Sequence, residues 1–104
     1  MRVAKRIARA IRESSGGLPA VKALGLLVDG QAQVSMNLVD FTQTPLHVVT
    51  EEVARLAELH GTKFDRAELI GLMPQEAIIQ TAAHYLKLPE LQASRLVETA
   101  IYKQ

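Results

Sequence analysis

The stretch AVKALGLLVDGQAQVSMNLV, residues 20–39, decides the fold. Two largely apolar runs flank Asp29-Gly30, and a two-residue Asp-Gly link between such runs is the strongest short-range signal for a β-hairpin. The expected strands are 20–28 and 31–39. With Val28 opposite Gln31 across the turn, Lys22, Leu24 and Leu26 share a face with Asn37, Ser35 and Gln33. The other face carries Val21, Ala23, Gly25 and Leu27 against Leu38, Met36, Val34 and Ala32. Side chains alternate along a strand, so a slip of one residue would exchange the two faces. The second face is apolar throughout and holds small residues that admit a helix at close range. The first carries a row of amide and hydroxyl groups. One face is expected to pack on helices, the other to meet something polar.

Working outward, the first twelve residues have the spacing of an amphipathic helix. Arg2, Lys5, Arg6, Arg9 and Arg12 cover one broad face, with Val3, Ile7, Ala10 and Ile11 opposite. Ser14-Ser15-Gly16-Gly17 should end it, and Pro19 biases Leu18 toward extended backbone. Downstream, Thr44-Pro45 reads as a helix start, a hydroxyl N-cap followed by proline at the first helical position. Leu46, Val49, Val53, Leu56 and Ala57 form its apolar stripe, and Gly61 closes it after His60. Residues 67–72, AELIGL, read as a third strand. Pro74 opens another helix with Ala77, Ile78, Ala82 and Tyr85 on or near its buried side, Leu88-Pro89 breaks it, and a last helix runs through about Tyr102. The order α-β-β-α-β-α-α is a ferredoxin-like β-α-β-β-α-β unit without its first strand. The expectation is an α+β fold over residues 1–104, one domain, with an antiparallel sheet and helices on one face.

Composition narrows the chemistry. The chain has 104 residues, 48% hydrophobic and 22% charged, so a disordered or low-complexity reading is excluded. With no Trp and 4% aromatic residues, the core must be aliphatic. The absence of Cys removes disulfides, Cys-ligated zinc, iron–sulfur clusters and thiol catalysis, and is compatible with a reducing, cytoplasmic setting. No apolar run approaches the roughly 20 residues of a membrane span, and the N-terminus is too often interrupted by Arg and Lys for a signal peptide. The basic helix is either an anion-binding face or the solvated side of a core helix. No aromatic base-stacking residues accompany it, so neither nucleic acid nor membrane is expected as a partner.

No local motif assembles a catalytic site. The three histidines, His47, His60 and His84, lie too far apart in sequence for a metal pair on one helix turn, and no metal site is expected. His47 stands in the first turn after Thr44-Pro45, close to the end of the polar strand; it could reach a ligand on the sheet or remain a solvated helix-start residue. His60 suits a helix C-terminus, where a cation is favoured. Glu68 is an acid within an apolar segment, fitting either a ligand contact or an edge-strand charge facing water.

Four motifs in order carry a resemblance: Lys22–Gly25 (KALG), Gln33–Leu38 (QVSMNL), Thr44–His47 (TPLH) and Glu68–Pro74 (ELIGLMP). Over about residues 2–87 the chain resembles the C-terminal subdomain of glutamate formimidoyltransferases. The resemblance implies transfer of a formimino group from formiminoglutamate to tetrahydrofolate, the co-substrate, in histidine degradation. It also implies two ferredoxin-like subdomains whose sheets enclose the folate, and a catalytic histidine in the N-terminal one. By this resemblance no histidine here inherits that role, and the wall candidates are Lys22, Gln33, Ser35, Asn37, His47 and Glu68. The implied partner is an N-terminal formiminotransferase subdomain, on the same chain or a separate subunit. Three departures stand out: Arg66-Ala67 where the family has small residues, a hairpin trimmed to Asp29-Gly30, and Met1 where a strand would precede the first helix. That strand would lie between 31–39 and 67–72; without it a homo-oligomer formed by sheet pairing is expected. The alternative is a non-enzymatic interaction module that pairs through its open sheet.

Overall fold

The computed structural model describes residues 1–97. The elements are α1 (Arg2–Ile11), a 3₁₀ turn (Glu13–Ser15), β1 (Val21–Val28), β2 (Gln31–Leu38), α2 (Leu46–Leu59), α3 (Gln75–Leu86) and a second 3₁₀ turn (Ala93–Arg95). The architecture is α+β, with a two-stranded antiparallel sheet and three helices among the described residues, compatible with a ferredoxin-like fold. Two compact units emerge, Met1–Ala67 and the residues from Glu68 onward.

The hairpin has the expected register at every position, from Val21 opposite Leu38 to Val28 opposite Gln31. Asp29 and Gly30 both take positive φ, 48° and 77°, as a type I′ turn demands. The Val39 N–H donates to the Ala20 carbonyl at 2.8 Å and carries the ladder one step further. On the inner face Val21, Ala23, Val34 and Leu38 pack with Ile7 and Ile11 of α1 and Val49, Val53 and Ala57 of α2. Toward the turn the cover ends, and Leu27 is 59% exposed.

Gly25 sets how near α1 comes. A Cβ there would stand 2.7 Å from the backbone N and Cα of Lys5 and 2.9 Å from the carbonyl carbon of Ala4, so helix backbone rests directly on strand backbone. The largest fully buried side chains are Ile11, Val21 and Val49, and a core this aliphatic gains its density from that proximity. Helix α1 needs the packing, because it holds cations at i,i+3 and i,i+4 spacings and no acid in its first turn. Each like-charge pair costs roughly 0.2–0.5 kcal/mol.

The start of α2 departs from the expected cap. Pro45 occupies the N-cap position, and Thr44, 2% exposed, instead donates its hydroxyl to the Pro19 carbonyl. A short-range cap has been exchanged for a tether across twenty-five positions, joining the loop before β1 to the loop before α2. At the other end Gly61 N–H bonds to the Glu58 carbonyl and Thr62 N–H to that of Ala57, a Schellman closure.

The second unit departs further. Residues 67–72 form no strand: each is exposed, Leu72 fully, and Gly71 turns to φ 82°. A strand exists only through pairing, so apolar β-propensity without a neighbouring strand does not produce one. In α3, Ala77 and Ile79 are buried and Ala82 is half-buried, whereas Ile78 and Tyr85 are 50% and 53% exposed. Adjacent isoleucines point about 100° apart, and periodicity alone chose the wrong one. The α3 helix ends at Leu86 with Lys87 left-handed, and of the helix expected through about Tyr102, residues 98–104 lie outside the described residues.

Gly25→Val should cost about 1–3 kcal/mol, at the upper end because backbone atoms cannot rotate away. Chemical denaturation read by circular dichroism checks it. Thr44→Val, nearly isosteric, should cost about 0.5–1.5 kcal/mol by removing the hydrogen bond to the Pro19 carbonyl, measured the same way.

Candidate functional site

The pairing that buries one face of the hairpin exposes the other. Lys22 stands opposite Asn37, Leu24 opposite Ser35 and Leu26 opposite Gln33. All are exposed except the half-buried Leu26. Four of the six expected site residues, Lys22, Gln33, Ser35 and Asn37, therefore share one open surface. Two leucines alternate with the polar row across the strands, and Leu24 is 56% exposed. The surface thus offers apolar contact area with donors and acceptors beside it.

At the end of the hairpin away from its turn, Lys22 also lines a shallow cavity of about 410 Å³ with Glu13, Ala20, Val39, Asp40 and Gln43. The Asp40 carboxylate there accepts three hydrogen bonds. Its Oδ1 accepts from the Thr42 backbone N–H at 2.9 Å and the Thr42 hydroxyl at 2.6 Å, and its Oδ2 from the Gln43 amide at 3.1 Å. The Thr42 hydroxyl above all, then the Gln43 amide, holds the Asp40 carboxyl below the usual aspartate range. Donors to the charged form favour it, so Asp40 is an anion at neutral pH. Its main-chain carbonyl accepts from the N–H groups of Gln43 and Thr44, closing a turn that leads into the Thr44 tether. The cavity mouth thus places two carboxylates and one ammonium around a fixed amide.

The remaining expected residues are placed differently. His47 lies in the first turn of α2, half-buried with its Nδ1 sealed from solvent, and is not among the cavity residues. Glu68 is exposed and belongs to the second unit. Glu13, Asp40 and Gln43 were missed by sequence reasoning. The Asp-x-Thr spacing at Asp40–Thr42 was the available signal, since a carboxylate two residues before a hydroxyl and N–H builds an Asx-turn. Among the described residues no group of three or more His, Asp or Glu side chains is placed to hold a metal ion. No helix among them is long and apolar enough to cross a membrane.

Comparison with known proteins places these residues in context. The model of the formiminotransferase domain matches residues 1–103. The chain is 34% identical to a glutamate formimidoyltransferase of Thermoplasma acidophilum over 99% of its own length and 35% of that protein's. It is 37% identical to the glutamate formimidoyltransferase of Streptococcus pyogenes serotype M1 over 85% of its length, covering 30% of that protein. It is 39% identical to the formimidoyltransferase-cyclodeaminase of Gallus gallus over 86% of its length, covering 18%. The chain therefore spans about a third or less of the relatives it matches.

Because the Asp40 pKa is depressed, the order of the 40–44 turn is kept above the ordinary aspartate range and lost as pH falls through the folded value. Thr42→Val removes the hydroxyl donor and should move the Asp40 titration upward, toward an ordinary aspartate. Carboxyl carbon shifts followed by NMR across acid pH read both effects.

Proposed function

Since the chain belongs to the formiminotransferase domain family, we propose that it forms one wall of a glutamate formimidoyltransferase site, where a formimino group passes from formiminoglutamate to tetrahydrofolate. The observation that carries this reading is the shared open face of Lys22, Gln33, Ser35 and Asn37. A pterin is flat and bears alternating donors and acceptors along its edge. Leu24 and Leu26 offer apolar contact to its ring, and the amides and hydroxyl match either polarity at its rim. Lys22 pairs with a glutamate carboxylate, which substrate and folate both carry. His47 and Glu68 stay in the proposal as candidate ligand contacts, each within its own unit.

In this reading the present residues bind and orient, and proton transfer belongs to a histidine of an N-terminal subdomain, on the same polypeptide or another. Residues 1–104 act as one domain within that enzyme, in the cytoplasm, as a step of histidine degradation.

The test has two arms. The 104-residue chain assayed by itself with formiminoglutamate and tetrahydrofolate should show no transfer, since loss of a general acid–base alone costs about 10²–10⁴-fold. Measurable turnover would overturn the division of labour. In the enzyme reassembled with the N-terminal subdomain, Asn37→Ala should weaken folate binding by about 2–12-fold, the worth of one hydrogen bond of 0.5–1.5 kcal/mol. Unchanged folate affinity across Lys22→Ala, Gln33→Ala and Asn37→Ala would remove the open face from the site.

A further inference from the structure

The cavity at the base of the hairpin is lined by charges of both signs that do not pair with one another. Glu13, Lys22 and Asp40 all border it, yet Lys22 forms no ion pair with either carboxylate. The Glu13 carboxylate has no hydrogen-bond or ion-pair partner among the described residues. The Asp40 carboxylate takes two donors on Oδ1 and one on Oδ2. An ionised carboxyl has about four acceptor sites, so one on Oδ2 remains open. The Gln43 amide, bonded to that Oδ2 at 3.1 Å, fixes where it stands. At about 410 Å³ the cavity lies within the range of small-molecule sites, about 300–1,000 Å³.

Two carboxylates and one ammonium around a single cavity match a ligand that is itself divided, with a cationic head and an anionic arm. Ala20, Val21 and Val39 form the apolar part of the wall, suited to a short carbon chain. A metal ion fits poorly, because the Lys22 ammonium borders the same space and no group of three or more His, Asp or Glu is placed to hold one among the described residues. The formimino group of the substrate proposed above is an amidine. At neutral pH it is a planar cation with N–H donors set side by side, the geometry in which a guanidinium meets a carboxylate. A formyl group of the same shape carries a carbonyl oxygen in place of the amidine nitrogen and is neutral. A carboxylate accepts from the first and repels the oxygen of the second, and a site left with unpaired polar groups rejects the analogue.

Resting on the reading of this chain as one wall of a formimidoyltransferase site, we propose that this cavity reads the charge of the substrate. Glu13 and Asp40 hold the amidinium of formiminoglutamate, Lys22 holds one of its carboxylates, and the two acids select a formimino group over a formyl group of the same shape. The second substrate carboxylate stays at the open mouth, in water. Lys22 joins two regions, since it lies opposite Asn37 on the sheet face and also lines the cavity. A formimino donor in the cavity and a folate on the face are thus neighbours, with Lys22 common to both. Glu13 and Asp40 bind and orient; proton transfer stays with the N-terminal subdomain.

Calorimetry on the enzyme reassembled with the N-terminal subdomain tests it, without tetrahydrofolate, using formiminoglutamate and N-formylglutamate as ligands. The unmodified enzyme should prefer formiminoglutamate by about tenfold or more. Glu13→Gln with Asp40→Asn keeps the shape of the cavity and removes its negative charge, and the replacement amide oxygen still accepts from Thr42. This double variant should weaken formiminoglutamate on the order of tenfold, as for a hydrogen bond to a charged group in a cavity open to water, and leave N-formylglutamate unchanged. Lys22→Gln should weaken both ligands alike, because both carry the carboxylates. N-formylglutamate is also the folding control, since a collapsed cavity would lose it too. An unmodified enzyme that binds both ligands equally, or neither, overturns the proposal. So does a preference that survives in the double variant, or an equal weakening of both ligands by it, which would make the two acids structural. Folate binding separates this proposal from the reading beneath it. If Asn37→Ala weakens folate while the double variant leaves the preference intact, the cavity assignment alone fails; if folate affinity is unchanged across the sheet-face variants, the wall itself fails.

Discussion

The first unit is organised by one contact between backbones, the seat of Ala4 and Lys5 of α1 on Gly25 of β1. Any side chain at Gly25 would lift the helix from the sheet. At this distance Ile7 and Ile11 reach Val21 of the hairpin and Val49, Val53 and Ala57 of α2 in one aliphatic cluster. No aromatic residue is needed to fill the gap, because the gap is not there. The same contact commits the hairpin to a buried face and so leaves Lys22, Gln33, Ser35 and Asn37 outward. The candidate site is the reverse side of the core.

Two loops hold the open end of that hairpin. Thr44 reaches back to the Pro19 carbonyl, and Asp40 gathers the Thr42 and Gln43 side chains around its carboxylate. These bonds lie where β1 begins and β2 leaves, and they bring Asp40 and Gln43 to the cavity that Lys22 lines. Loop chemistry here serves both ends. It satisfies backbone groups that the strands cannot, and it places charge beside a face otherwise furnished with neutral amides.

Charge is segregated within the first unit. Helix α1 is cationic outward and α2 bears Glu51, Glu52 and Glu58, although the whole chain has a net charge of only +1. Such separation weakens α1 as an isolated helix, and its place on Gly25 offsets that weakness through burial of Ala4, Ile7, Ala8 and Ile11. Local propensity and tertiary packing oppose each other along α1, and packing decides.

The hairpin, its register and the helices on either side were legible in the residues themselves. Asp29-Gly30 specifies a turn, the turn specifies the register, and period-two alternation then assigns both faces without further information. That geometry puts four of the six expected site residues on one face. What the residues could not decide is whatever depends on a partner distant in the chain. AELIGL has the composition of a strand, yet residues 67–72 pair with none, because a strand is a relation between segments and not a property of one. Thr44 has the local chemistry of an N-cap, yet its hydroxyl goes to the Pro19 carbonyl, since the buried Thr44 hydroxyl needs a partner within the fold whereas an exposed helix end can be satisfied by water. Ile79 rather than Ile78 is buried in α3, a choice between neighbours on an apolar helix that periodicity leaves open. Short-range constraints made the hairpin readable, and competition among long-range contacts settled the rest.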